Sequence, residues 1–191
     1  HVDRARPATQ FLAHLLDRVL LQVVQAEHAG VVRGQLGHAE LDRGGQVFFV
    51  HNRIETIVAI ADHVKRVIPR ARVAIGHGQM KERELEAVMK QFVSGEVDVL
   101  VSTLIVESGI DVPNATVMMI EAAERYGISQ LHQLRGRIGR GEHAGLCILF
   151  GDPALPRLEA LANERDGFRL AEVDLQLRGA GEVLGTRQHG L

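Results

Sequence analysis

The chain is 191 residues long, 46% hydrophobic and 24% charged, a composition that suits one domain with an appendage and excludes the polar, core-poor character of a disordered chain. Its formal net charge of -2 excludes a bulk basic excess as the means of holding nucleic acid, which leaves local patches and backbone amides. No apolar stretch approaches the roughly 20 residues of a membrane helix, no signal-peptide cleavage pattern is present, and the lone Cys147 cannot form an internal disulfide; a soluble protein of the reducing cytoplasm is expected, with no membrane partner.

Residues 10–25 place Phe11, Leu12, Leu15, Leu16, Val19, Leu20, Val23 and Val24 at helical spacing, which predicts a helix packed on the core or on a neighbouring domain. From Gln46 onward short aliphatic runs alternate with amphipathic segments. The strand Gln46 to Val50 is followed by the helix Glu55 to Val67, with Ile57, Ile60, Ala61, Val64 and Ile68 on one face. The strand Arg72 to Gly76 leads to the helix Lys81 to Val93, where Leu85, Val88, Met89 and Phe92 repeat the same stripe. Three further strands are predicted at Asp98 to Ser102, Thr116 to Glu121 and Gly145 to Phe150, the last burying Cys147. Nearly apolar strands separated by amphipathic helices call for a doubly wound α/β fold, a parallel sheet covered on both faces. Such sheets take their ligands at the carboxyl ends of the strands. The residues just past those ends are polar: Asn52 and Arg53, His77 to Gln79, Ser102 and Thr103, and Glu121. After Asp152 and Pro153 a charged stretch to about Arg169 reads as a helix, and the tail with Gly179, Gly181, Gly185 and Gly190 as an ordered loop.

The segment from Gln130 to Arg140, QLHQLRGRIGR, carries the most chemistry. If Ile128 to Ile138 is helical, Leu131, Leu134 and Ile138 form the buried stripe, while Gln130, Gln133, Arg137 and Arg140 share another face. Gly136 and Gly139 would each cost a helix roughly 1 kcal/mol against alanine, so their place beside two arginines points to close approach of a backbone or ligand. The bland alternative is a solvated basic helix end, favourable against the macrodipole. Ser102 and Thr103 likewise have a bland reading as caps of the following helix.

The spacing glutamine, two residues, glycine, arginine, two residues, arginine in Gln133 to Arg140 resembles the motif that superfamily 2 helicases carry in their second RecA-like domain. The resemblance implies that Arg140 is an arginine finger on the γ-phosphate of ATP, with Arg137 its companion and Gln133 near the nucleotide. A planar fork of donors matches phosphate oxygens better than an ammonium would. Asp98 to Pro113 resembles the family's fifth motif, which implies that Ser102 and Thr103 meet DNA phosphate while Gly109 and Asp111 face the nucleotide. Val47 to Arg53 and His77 to Met80 resemble the loops that grip the sugar-phosphate backbone, giving Asn52, Arg53, His77, Gly78 and Gln79 as DNA contacts. Contacts of that kind hold any sequence, as a translocating motor requires. Asp166 to Gly190 is similar to the coupling motif that RecG shares with the transcription-repair coupling factor, with Arg178, Arg187 and Gln188 as the coupling residues.

Membership of the RecG type is the expectation, with the coupling factor second and a non-catalytic helicase-fold binding module as the alternative of another class. The implied architecture is an atypical helical segment over residues 1–40, a RecA-like domain over 41–152, and a coupling hairpin and loop over 153–191. No GxxxxGK[ST] loop and no strand-following Asp-Glu pair occurs in the sequence, so ATP with Mg²⁺ is expected to be held mainly by an N-terminal RecA-like motor domain of the same protein. Branched or duplex DNA is the expected partner. The ten histidines are scattered, and His28, His38 and His51 lack paired ligand spacing, so no metal site is expected.

Overall fold

A computed structural model describes residues 19–25, 28–103, 115–138 and 144–185, with side chains as far as residue 177. Six strands run in chain order: β1 (Val19–Val24), β2 (Gln46–Val50), β3 (Val73–Gly76), β4 (Val99–Ser102), β5 (Ala115–Ile120) and β6 (Gly145–Phe150). All pair in parallel, in the order β1-β6-β5-β2-β4-β3. The helices are α1 (Ala29–Asp42), α2 (Ile54–Val67), α3 (Glu82–Val93), α4 (Ile128–Arg135), α5 (Pro156–Asn163) and α6 (Gly167–Gly185). This is the doubly wound α/β class, and the alternation of side chains along each strand shows why. Phe48 and Val50 of β2 point into one core with Leu100, Met118, Ile120 and Leu149, closed by Phe92 of α3, Leu131 and Leu134 of α4, Leu158 and Leu161 of α5 and Leu170 of α6. Val47 and Phe49 point the other way, into a core with Val101, Met119 and Phe150 that α1 and α2 cover through Ala29, Ile57, Ala61 and Val64. Every residue of β2, β4 and β5 is buried. Cys147 lies in the first core, where burial pushes its thiol up to about 12 and leaves it inert as a nucleophile.

The N-terminal segment departs from the helical expectation. Val19 to Val24 is an edge strand in register with β6, from Val19 opposite Gly145 to Val24 opposite Phe150. A run of valine and leucine satisfies either period, and the open edge of β6 supplied the backbone partners that decided between them. The earlier residues 10–18 lie outside the described residues. Helix α1 covers one face of the sheet together with α2. It lies close against the end of α2: a Cβ at Gly37 would run into Ile68 Cδ1. Its buried Glu40 accepts from the Thr116 hydroxyl and the Arg43 guanidinium, which ties α1 to the start of β5.

Two further boundaries differ. Helix α4 stops at Arg135, with Gly136 as its cap and the Arg137 amide turning back to the Leu134 carbonyl at 3.0 Å, so Arg137 follows the helix instead of lying on its face. The expected single helix to Arg169 is two helices. Glu164 accepts the amides of Arg165 and Asp166 at 2.7 and 2.9 Å and so holds the turn between the helices, and Asp166 accepts that of Phe168 at 2.8 Å, capping an orphan donor in the first turn of α6. That helix continues through Gly179 and Gly181 to Gly185, where a loop was expected.

Candidate nucleotide and nucleic-acid interface

The parallel sheet brings the carboxyl ends of its strands into one row, and backbone bonds across neighbouring strands fix it. The His51 amide donates to Ser102 O at 2.8 Å, Thr103 to Gly76 O at 3.2 Å, Glu121 to Val50 O at 3.0 Å and Gly151 to Val24 O at 3.0 Å. Along this row lie the residues the sequence singled out as DNA contacts. Asn52 is half-buried and Arg53 exposed in the turn from β2 to α2; Gly78 and Gln79 are exposed in the turn after β3, which the Met80 amide closes onto His77 O at 3.0 Å. Thr103 is half-buried at the tip of β4. Ser102 sits lower, only 2% exposed, and its hydroxyl donates to the Thr103 carbonyl at 2.7 Å, so it shapes the turn that presents Thr103. Gln133 is exposed on α4 and Arg137 half-buried just beyond it, on the face of the sheet opposite α1 and α2. Leu131, Leu134 and Ile138 are buried as the stripe required. Gly109, Asp111, Arg140, Arg187 and Gln188 lie outside the described residues, as does the Arg178 side chain.

A cleft of about 1080 Å³ opens at the β2, β5 and β6 ends of this row, with Asn52, Arg53 and Arg125 on its walls. Its floor is a charge cluster that sequence reasoning met only in part. Arg33 of α1 donates to Glu121 Oε1 at 2.6 Å, and the other carboxylate oxygen stands 2.7 Å from His51 Nδ1. The far side of the ring, Nε2, stands 2.7 Å from Thr56 Oγ1 at the start of α2. The Arg33 guanidinium is stacked against Phe150 and Phe49, 4.8 and 5.3 Å from their ring centroids. Glu121 was visible as a polar residue past a strand end. Arg33 was not, because nothing local distinguishes it from other helix arginines; its role appears only when β2, β5 and β6 bring Phe49, Glu121 and Phe150 together.

Just after Glu121 the chain adopts a left-handed turn at Ala122, with φ 49° and ψ 53°. A side chain there costs about 1–2 kcal/mol. The turn reverses the chain into the short 3-10 turn Ala123–Arg125 and sets Arg125 on the cleft wall. The cluster thus holds the β2–α2 turn, with Asn52 and Arg53, rigid at the mouth of the cleft. Replacing Glu121 with alanine leaves two buried donors without their acceptor. The expected loss is about 1–3 kcal/mol of folding stability, read as a lower midpoint of urea unfolding at unchanged slope.

Among the described residues no group of three or more His, Cys, Asp or Glu gathers that could hold a metal ion. The groups offered to a ligand are guanidiniums, an amide, hydroxyls and backbone turns, a set suited to anionic oxygens.

Residues 29–142 match the family described as the helicase conserved C-terminal domain. The chain is 44% identical over 183 residues to the transcription-repair-coupling factor of Escherichia coli (strain K12), which covers 91% of this chain and 16% of that protein. It is 41% identical over 181 residues to the ATP-dependent DNA helicase RecG of Pasteurella multocida (strain Pm70), covering 88% of this chain and 26% of that protein. The solved structure of RecG bound to a three-way DNA junction superposes with a TM-score of 0.74 at 39% identity, covering 92% of this chain and 24% of that one. The chain thus spans about a sixth to a quarter of the length of these relatives. With a parallel sheet of this order, a row of polar strand ends and a family match over more than half its residues, the chain belongs to the helicase conserved C-terminal domain family.

Proposed function

We propose that this chain is the C-terminal motor domain of an ATP-dependent DNA helicase or translocase that remodels branched or duplex DNA, of the RecG type in the first instance, with the transcription-repair coupling factor as the second reading. The observation that carries the proposal is the single row of strand ends that gathers Asn52, Arg53, Gln79 and Thr103 on a chain of this family. The row sets exposed polar turns side by side, a surface that suits sequence-independent backbone grip. Asn52, Arg53, His77, Gly78, Gln79 and Thr103 hold the DNA backbone in this reading, and Ser102 supports them from below.

ATP bound with Mg²⁺ supplies the γ-phosphate whose hydrolysis drives the motor. Among the described residues the donor set fits the anionic end of that nucleotide, and no carboxylate cluster gathers for its metal. Arg137 and Arg140 act on the phosphates in this reading, and Gln133, Gly109 and Asp111 serve the nucleotide; the metal, the lysine and the phosphate cradle come from an N-terminal RecA-like motor domain of the same protein. Arg178, Arg187 and Gln188 couple hydrolysis to movement.

Two measurements test this. The chain alone should hydrolyse no ATP with or without DNA, because the cradle and its lysine are absent from its sequence. The full-length protein should hydrolyse ATP faster when DNA is added, and more so with a three-way junction than with plain duplex for the RecG type. Turnover by the isolated chain, or a full-length protein indifferent to DNA, would overturn the proposal; stimulation by plain duplex equal to that by the junction favours the coupling-factor reading.

A further inference from the structure

Arg135, the last residue of α4, is buried to 9% exposure, and its bonds among the described residues run to neutral acceptors. Its Nη1 donates to Leu161 O at 3.0 Å and Glu164 O at 2.9 Å; its Nη2 donates to Arg165 O at 3.4 Å and His132 Nδ1 at 2.8 Å. The carbonyls of Leu161 and Glu164 belong to the C-terminal end of α5, where a helix has orphan acceptors and favours a cation. Burial lowers the pKa of both Arg135 and His132, which keeps the imidazole neutral and its Nδ1 open as an acceptor. The same ring is keyed into the start of α6: a Cβ at Gly167 would lie 3.0 Å from His132 Nε2.

A guanidinium desolvated against carbonyls and one neutral ring nitrogen is an expensive way to fill an apolar layer, since a side chain of similar volume would pack there without the desolvation cost. What it gives instead is direction. A fork bonded to the end of α5 and to the α5–α6 junction fixes the end of α4 to that junction in both distance and rotation. The next residues along the chain are Gly136 and Arg137.

We propose that Arg135, seated by His132, is a positioning residue that makes the Arg137 turn and the α5–α6 junction move as one body, so that movement at the nucleotide side passes into α6 rather than being absorbed at the end of α4. The inference rests on the motor function proposed above and names the joint through which that motor works. Arg135 touches neither nucleotide nor DNA in this account; it acts through the segments it holds.

The test uses the full-length protein with Arg135→Met, which keeps the volume and removes the donors. Two readouts are needed. Hydrogen exchange at the amides of residues 164–170 should rise by about tenfold or more in the variant, with the sheet amides unchanged. DNA-stimulated ATP turnover should stay within about threefold of wild type, while base pairs displaced per ATP fall by about tenfold. Arg135→Lys keeps the charge but loses the fork, so it should show the same split; it carries the test if the methionine variant does not fold. Unchanged exchange at 164–170, or ATP turnover and displacement falling in parallel, overturns the strut. A wild-type protein without DNA-stimulated turnover would sink the motor reading, and the exchange measurement would still decide whether Arg135 holds the junction.

Discussion

Arg140→Ala in the full-length protein should lower ATP turnover by about 10³-fold or more while leaving ATP and DNA affinity nearly unchanged. A guanidinium placed against a transferring phosphoryl group meets most of its charge only as the bond to the leaving oxygen lengthens, so removing it raises the barrier and spares the ground state. A factor of 10³ corresponds to about 4 kcal/mol of activation free energy, several times what a surface ion pair contributes. Lysine should not restore activity, because an ammonium cannot span two phosphate oxygens with a planar fork. The companion Arg137 is held differently: it follows the Gly136 cap, with its amide bonded to Leu134 O at 3.0 Å, so its backbone is fixed by α4 itself. Steady-state kinetics separates the outcomes. A fall in kcat at constant KM supports the finger; a rise in KM at constant kcat makes Arg140 only a binding contact.

How far the sequence could be read depends on how local each determinant is. Strands β2 and β6 were legible to the residue, because a parallel strand buried on both faces must be a continuous apolar run with polar or turn residues at each end. The stripes of α2 and α3 were legible for the complementary reason: each has one face on the sheet and the other in water. Strand β1 was misread because Val19 to Val24 fits both periods, and only the unpaired edge of β6, more than a hundred residues away, selects the extended form. Helix α1 left almost no stripe, since its close packing on α2 uses glycines such as Gly37 where a stripe would show large residues. The end of α4 and the break between α5 and α6 turn on single residues, Gly136 and the carboxylates of Glu164 and Asp166.

The candidate site divides in the same way. That Asn52, Gln79 and Thr103 share one row was legible because strand ends in such a sheet line up, whatever the neighbouring side chains are. Their support was not found. Arg33 and the Arg135 fork bond to partners 88 and up to 30 positions away, and neither has a spacing that marks it. Ser102 and Thr103 were taken as a pair, and the pleat separates them: the first is buried against its neighbour's carbonyl and the second reaches the surface.

Arg187→Ala or Gln188→Ala in the full-length protein should leave DNA-stimulated ATP turnover within a fewfold of normal and largely abolish unwinding or duplex translocation. Both follow α6 closely in sequence, two and three residues after Gly185. With 19 residues the helix is about 28 Å long at 1.5 Å per residue. Its base is the junction that Arg135 and His132 grip, and its first turns are fixed to α4 by Leu170, Val173 and Leu177 against the core. A rotation of about 10° at that base would carry the far end of α6 roughly 5 Å, which amplifies a small closure. Altering Arg187 or Gln188 leaves the base of α6 intact, so hydrogen exchange at residues 164–170 should stay at the wild-type level, in contrast to Arg135→Met. The decisive quantity is base pairs moved per ATP consumed. An equal fall in hydrolysis and movement would place Arg187 and Gln188 in the nucleotide site or the core, and unchanged movement would make the segment after α6 structural only.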